Sequence, residues 1–302
     1  MKSCSNDYGV KSLLLTGANG FFGKIIQNTF KVDNLLTLGL ADCDINVNLA
    51  FEVPKIEFHP DMVIHAAGKA HVNPRTESER KEFFDVNVEG TLNLLRSLDS
   101  TGSRPNTFVY ISSVSVYGLD RGCDLNEDTP LNGRTPYAKS KIEAEKIITE
   151  WGDKYGVNIV ILRLPLMVGV GAPGNFGSMY NVINRGYYFR ISSGKVHRSM
   201  VLAQDVAAFI SKLNGKSGIY HLTDGYHPAY FELENVIAES LGKQIYQIPV
   251  FIARFVAFLG DYLRFIPLNT NKFEKLSMSL TFNDSRARKE LGWNPSCVLS
   301  IF

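Results

Sequence analysis

Paired cysteines are missing from this sequence. Cys4, Cys43, Cys123 and Cys297 stand far apart with no Cys-x-x-Cys, which suits reduced thiols rather than a disulfide frame or a zinc site. Uninterrupted apolar runs are missing as well. The most apolar late segment, residues 248–268, is broken by Arg254, Asp261 and Arg264, short of the ~20 residues that cross a bilayer. Its apolar positions recur at helical spacing, so it reads as a helix packed on the body of the protein, with a membrane-touching surface as the less favoured reading. The first twelve residues have no apolar core of a signal peptide, which sets the expectation of a cytoplasmic protein without membrane insertion. A net charge of +2 with no basic cluster gives nucleic-acid binding no support. His59, His65 and His71 are spaced by six, which suits ligand sets on neither helix nor strand; they read as structural or at most cofactor-adjacent, and no metal is expected.

What is present is alternation. Residues 12–16, 35–40, 61–67, 107–113 and 157–165 are short apolar runs that read as strands. Between them, residues 21–30, 79–98 and 137–155 have the amphipathic spacing of helices. Strand-helix alternation of this kind predicts an α/β fold with a parallel sheet covered on both faces, wound in both directions. Residues 198–213 and 218–224 return to the pattern after a glycine-rich stretch at 169–178 that suits a loop beside a site.

Two motifs carry chemistry. Residues 16–23, TGANGFFG, sit between the first strand and first helix. In that place Gly17, Gly20 and Gly23 let backbone approach a pyrophosphate, so dinucleotide binding is favoured over a simple tight turn. Asn19, Phe21 and Phe22 lie in the same turn and count with the cofactor wall. Residues 137–141, YAKSK, set Tyr137 and Lys141 one helical turn apart. A phenol with a reference pKa of about 10 becomes a useful base beside a fixed cation; the bland alternative is a tyrosine covering apolar surface and a solvated lysine.

The Gly-x-x-Gly-x-x-Gly spacing, the Tyr-x-x-x-Lys pair and the ISSVSVYG run at 111–118 together resemble the short-chain dehydrogenase/reductase superfamily. Within it they resemble the extended branch, the NAD-dependent epimerase/dehydratase family of nucleotide-sugar 4-epimerases and 4-reductases. HAAG at 65–68, DVNVEGT at 85–91, RLP at 163–165, GNF at 174–176, RSMVLAQDVA at 198–207 and LGWNP at 291–295 extend the likeness over nearly the whole chain. The resemblance implies a Rossmann-type domain of residues 1–165 with about 198–224, and a smaller substrate-binding lobe of 166–197 with 225–302. It implies Tyr137 as the proton-transfer group, with Lys141 lowering its pKa and holding the nicotinamide ribose, and Ser113 hydrogen-bonding the reacting oxygen. Ala66, Ala67, Gly68, Asn87 and Pro165 then belong to the cofactor wall. Ser113, Ser115, Asn175 and Arg198 face the substrate, and Asp205 anchors structure. A homodimer through the helices at 79–98 and 137–155 and a role in surface-polysaccharide precursor synthesis are further expectations from the likeness.

The chain also departs from the family pattern. The acid that usually ends the second strand is absent; Gly39 and Leu40 stand there, with Asp42 and Asp44 nearby and no arginine. Negative charge repels a 2′-phosphate, which favours NAD over NADP. Asn48 and Leu49 replace an Asp-hydrophobic pair that commonly meets adenine. Val114 and Ser115 occupy the places where dehydratases carry Asp and Glu, which speaks against dehydration. The remaining chemistry is C4 epimerisation of a UDP-hexose or UDP-N-acetylhexosamine through a 4-keto sugar, or reduction of such a 4-keto sugar; residues 70–72 and 275–285 look somewhat like the 4-reductases. A hydroxysteroid dehydrogenase and a non-catalytic cofactor sensor are more distant alternatives. For the second phosphate, Lys272 or Lys275 stands in for an arginine that many 4-epimerases carry.

Overall fold

The computed structural model describes residues 9–190, 196–262, 270, 273–274 and 277–302. Thirteen strands are found among them. The large sheet uses β1 (Ser12–Thr16), β2 (Asn34–Gly39), β3 (Ile45–Asn46), β4 (Met62–His65), β5 (Thr107–Ser113), β7 (Asn158–Leu164) and β11 (Gly218–Tyr220). Their order is β11-β7-β5-β4-β1-β2-β3, parallel throughout. Small parallel pairs add β6 (Gly122–Leu125) with β13 (Leu280–Phe282), β8 (Leu166–Val168) with β10 (Met200–Leu202), and β9 (Phe189–Arg190) with β12 (Tyr246–Gln247). The helices are α1 (Phe21–Thr29), α2 (Glu77–Phe84), α3 (Gly90–Ser100), α4 (Pro136–Tyr155), α5 (Gly174–Asn184), α6 (Ala203–Ile210), α7 (Tyr230–Ser240), α8 (Val250–Tyr262) and α9 (Ser285–Leu291). This is a Rossmann-like α/β architecture.

The continuous apolar character of β1 follows from burial on both faces. Leu13 and Leu15 join one core with Phe22 and Ile26 of α1 and Val206 and Ile210 of α6. Leu14 joins the opposite core with Leu94 of α3 and Ile148 of α4. From β1 the chain runs outward to β2 and β3, then crosses back to β4 on the other flank. Strand order therefore reverses between β1 and β4, and a crevice opens past Thr16 and His65, where ligands of such sheets bind.

Pairing and hydrogen bonding set the boundaries that periodicity blurs. β2 begins one residue earlier than its pattern because Ser12 registers with Asn34. β4 stops at His65 because the Ala67 N–H turns to the Thr16 hydroxyl at 3.2 Å. The helix expected over 79–98 spans Glu77–Ser100 but is interrupted by a π turn at Asp85–Glu89. A capping box of Thr76 and Glu79 starts it. Helix α4 starts on the Thr135 hydroxyl with Pro136 in its first turn and ends at Gly156, φ 69°.

Helix α8 departs from expectation. Its small residues Ala253 and Ala257 are buried with Phe273, whereas Phe251 and Tyr262 are each 73% exposed and Phe255 is 62% exposed. The helix thus packs its narrow alanine stripe with Phe273 and carries its aromatic face outward. By contrast α2, α3 and α4 hold none of the exposed large apolar residues. No described helix is long and apolar enough to cross a membrane, and no described His, Cys, Asp or Glu group has the geometry of a metal site.

At Gly17, φ is 70° and an added Cβ would lie 2.6 Å from the Ala67 nitrogen. The turn and the β4 exit approach too closely for any side chain. Gly17→Ala is expected to lower unfolding stability by about 2–4 kcal/mol, from a left-handed backbone plus a backbone clash, read from urea unfolding midpoints.

Candidate active site

One cavity of about 270 Å³ opens in the crevice between β1 and β4. Gly17, Gly20, Phe21, Phe22 and Gly23 form one wall and Ala66 and Gly68 the floor. Ser113, Tyr137, Lys141 and Pro165 stand opposite. Eleven residues singled out from sequence thus meet around one space, although they come from five separate segments.

The glycine turn is shaped for a diphosphate. Beyond Gly17, a Cβ on Gly23 would lie 2.2 Å from the Gly17 carbonyl oxygen, so α1 can close on the turn only with glycine there. The α1 amino terminus has no side-chain cap and no acid in its first turn. Its free N–H groups and the helix dipole suit an anion. These features fit a dinucleotide, with Gly17, Gly20 and the first turn of α1 as the residues that would hold its phosphates.

Buried hydroxyl and imidazole groups brace this wall. Ala67 N–H donates to the Thr16 hydroxyl, which meets His65 Nδ1 at 2.7 Å; His65 Nε2 meets the Thr91 hydroxyl at 2.9 Å, and Thr91 donates to the Asn87 carbonyl. Thr91 spends its proton on Asn87, so Nε2 carries the imidazole hydrogen and Nδ1 accepts. Burial drives the His65 pKa down to about 3, which keeps the ring neutral. Asn87 in turn accepts from Lys69 N at 2.7 Å and donates to Lys69 O and Ser140 Oγ. Asn87 therefore shapes the wall from behind.

On the opposite side, Ser113 ends β5 while Tyr137 and Lys141 share one face of α4. Lys141 Nζ donates to the Ile111 carbonyl at 2.8 Å and lies 4.5 Å above the Tyr110 ring. Burial lowers its pKa to about 8, against the opposing pull of Glu145. The Tyr137 phenol, edge-on to Phe83, is raised from its ordinary value by burial, with the Ser113 hydroxyl pulling the other way. Beneath them Glu145 receives the Ser112 hydroxyl at 2.5 Å and the Arg163 guanidinium at 2.8 Å.

Not every expected residue reaches the cavity. Asn19 spans from the glycine turn to the loop after β2, donating to Ala41 O at 2.7 Å and accepting from Cys43 at 2.6 Å. Asn48 accepts from Ala50 N, and the neighbouring Leu49 is buried with its carbonyl bound to Asn93. Ala67 contributes its N–H to Thr16 rather than lining the space. Ser115 lies exposed beyond Ser113, their hydroxyls 3.1 Å apart. Asn175 lies exposed in the first turn of α5, and Arg198 precedes β10, its N–H on the Pro228 carbonyl. Lys272 and Lys275 lie outside the described residues. Asp44 accepts from Thr37 N and Oγ1 at 2.8 and 2.7 Å. It is therefore committed to the turn after β2, whereas Asp42 stands exposed with φ 49°. Lys69, Ala70 and His71 also line the cavity; of these the sequence offers His71 as structural or at most cofactor-adjacent and residues 70–72 as a likeness to 4-reductases, since no periodicity marks a loop.

The family model described as "NAD dependent epimerase/dehydratase family" matches residues 13–218. This chain belongs to that family. Family members similar to it include the UDP-glucose 4-epimerase of Vibrio cholerae, 26% identical over 98% of this chain and 94% of the relative. The GDP-6-deoxy-D-mannose reductase of Pseudomonas aeruginosa is 29% identical over 75% of this chain and 79% of the relative. The structure of RMD from P. aeruginosa complexed with NADPH superposes with a TM-score of 0.74 at 24% identity, covering 96% and 95% of the two chains. The fold is therefore that of the extended branch of short-chain dehydrogenases/reductases, an enzyme class.

The buried Lys141 has a stability signature. Its proton is held to about pH 10.5 in the unfolded chain but to about 8 in the folded one. Below pH 8 the folded state therefore bears the full cost of the buried charge; between about pH 8 and 10.5 the unfolded chain binds more protons and stability rises with pH. Lys141→Met is expected to stabilise the protein by about 1–2 kcal/mol at pH 7, after about 1 kcal/mol is lost to the unpaired Ile111 carbonyl. Urea titrations at pH 7 and 10 should show that gap closing at the higher pH.

Proposed function

We propose that this protein is a nucleotide-sugar epimerase acting at C4 of a UDP-hexose or UDP-N-acetylhexosamine, with NAD as its cofactor. The observation that carries the reading is the convergence of Ser113, Tyr137 and Lys141 on one cavity facing the glycine turn. Pro165 stands on the same side, as expected for a nicotinamide neighbour. When bound, the cofactor takes and returns a hydride.

The chain's own residues handle the proton and the substrate. Tyr137 accepts the 4-hydroxyl proton as the C4 hydrogen leaves, and returns it when the 4-keto sugar is reduced from its other face. Ser113, which lines the cavity with Tyr137, orients the reacting oxygen. Lys141 holds the nicotinamide ribose and supplies positive charge to the phenolate. Asn175, in the first turn of the uncapped helix α5, and Arg198, just before β10, are the groups assigned to the diphosphate, outside the cavity that Tyr137 lines. The preference for NAD rests on Asp42 and Asp44 near the end of β2 and the absence of any basic residue over 40–48. Dehydration finds no second acid and base, because Val114 and Ser115 follow Ser113.

A second reading is an NAD(P)H-dependent 4-keto-sugar reductase, in which Tyr137 donates its proton to the 4-keto oxygen. Similarity to the Pseudomonas reductase supports it. The two readings diverge in cofactor use, catalytic for the epimerase and stoichiometric for the reductase.

Tyr137→Phe is expected to cut turnover by about 10²–10⁴-fold while UDP-sugar affinity stays within about threefold of wild type. Proton NMR of anomeric signals follows turnover with UDP-glucose and UDP-N-acetylglucosamine, and calorimetry follows binding. Unchanged turnover in the variant would remove Tyr137 from the chemistry, and stoichiometric consumption of NAD(P)H with a 4-keto sugar would select the reductase.

A further inference from the structure

His71 lines the proposed substrate cavity in a left-handed backbone conformation. Its φ is 61°, in the left-handed region where a side chain crowds the backbone. Strain of this kind persists when the surroundings impose it, and it gathers at functional sites. Here the imposing element is nearby. Two residues earlier Lys69 is clamped on both its N–H and its carbonyl by Asn87, and the Lys69 side chain is paired with Glu82.

The space for the imidazole is made by a glycine. Gly174, the first residue of α5, is itself left-handed at φ 71°, and a Cβ there would come 2.5 Å from His71 Nδ1. The loop after β4 and the start of α5 therefore meet through an imidazole and a missing side chain. The ring lines the same cavity as Ser113, Tyr137 and Pro173. The residue is exposed at the cavity, and among the described residues its ring has no hydrogen bond, ion pair or ring contact, which leaves both nitrogens open to a ligand or to water. His65, six residues earlier, has both nitrogens satisfied by buried threonines.

We propose that His71 is a specificity-determining residue that hydrogen-bonds the sugar of the bound nucleotide sugar, a role that rests on the nucleotide-sugar reading of this cavity. Partial desolvation at the cavity lining holds the His71 pKa below the ordinary imidazole value although the residue stays exposed, so the neutral ring offers one donor and one acceptor. A hexose presents hydroxyl or acetamido groups that match both. The position next to Gly174 places this contact at the α5 end of the cavity, between the Tyr137 side and the proposed diphosphate end. Hydrogen bonds from a site built for a particular substituent discriminate strongly, because a substrate lacking it leaves the site's polar atom unpaired.

The test uses His71→Gly and His71→Asn in the full chain. Glycine accepts a positive φ and removes the ring, and asparagine tolerates the same backbone while keeping a donor and an acceptor. Dissociation constants are measured by calorimetry for UDP, UDP-glucose and UDP-N-acetylglucosamine, and by fluorescence for NADH. The expected result is a UDP-sugar affinity at least tenfold weaker in His71→Gly, partly recovered in His71→Asn, with UDP and NADH within twofold of wild type. Unchanged UDP-sugar affinity in His71→Gly, or equal weakening of UDP, UDP-sugar and NADH, would overturn the assignment while leaving the nucleotide-sugar reading standing. Wild-type protein that binds neither UDP nor either UDP-sugar would instead defeat that reading and the assignment built on it.

Discussion

The ion pair of Glu145 and Arg163, both almost wholly buried, is the constraint on which the arrangement of the site depends. Taking two charges out of water is costly and is offset only when their remaining hydrogen-bond capacity is met. Glu145 meets it with the Ser112 hydroxyl, and Arg163 with the Tyr117 hydroxyl and the Glu127 carbonyl, each at 3.0 Å. Tyr117 continues to His221, whose backbone N–H donates to Glu127 Oε1. The network thus joins α4 to β5, β7 and the residue following β11. Rotation or sliding of α4 would leave charge unpaired in the core, so the helix has one position.

That position delivers the site. Ile111, Ser112 and Ser113 end β5 in succession, and α4 engages the first two directly: Lys141 takes the Ile111 carbonyl and Glu145 takes the Ser112 hydroxyl. Ser113 follows at the edge of the cavity with Tyr137 beside it. Lys141 is held between Glu145, one turn further along α4, and the cavity, and its lowered pKa records the cost of burying an ammonium where function places it. Stability is given up locally and recovered from the two apolar cores on either face of the sheet.

The glycine turn of the opposite wall is braced by neutral groups. It depends on close backbone approach at Gly17 and Gly23 and on the threonine-histidine-threonine chain behind them. The two walls meet across the cavity because β1 and β4 are neighbours at the point where strand order reverses.

Much of this was legible in the chain. The 3.6-residue and continuous apolar patterns identified the main strands and helices, because burial on a sheet face or helix stripe leaves a periodic trace. The glycine turn, Tyr137 and Lys141 were legible because their chemistry requires fixed local spacing. Tertiary structure alone decided the rest. Asp44 was committed to Thr37, Asn19 to Ala41, and the aromatic face of α8 to the outside, and nothing local in the sequence records such partners. His71 is the sharpest case: its cavity position arises from a left-handed loop residue meeting a glycine 103 residues away. Local spacing encodes what one element does with itself, whereas contacts between distant elements exist only once packing has brought them together.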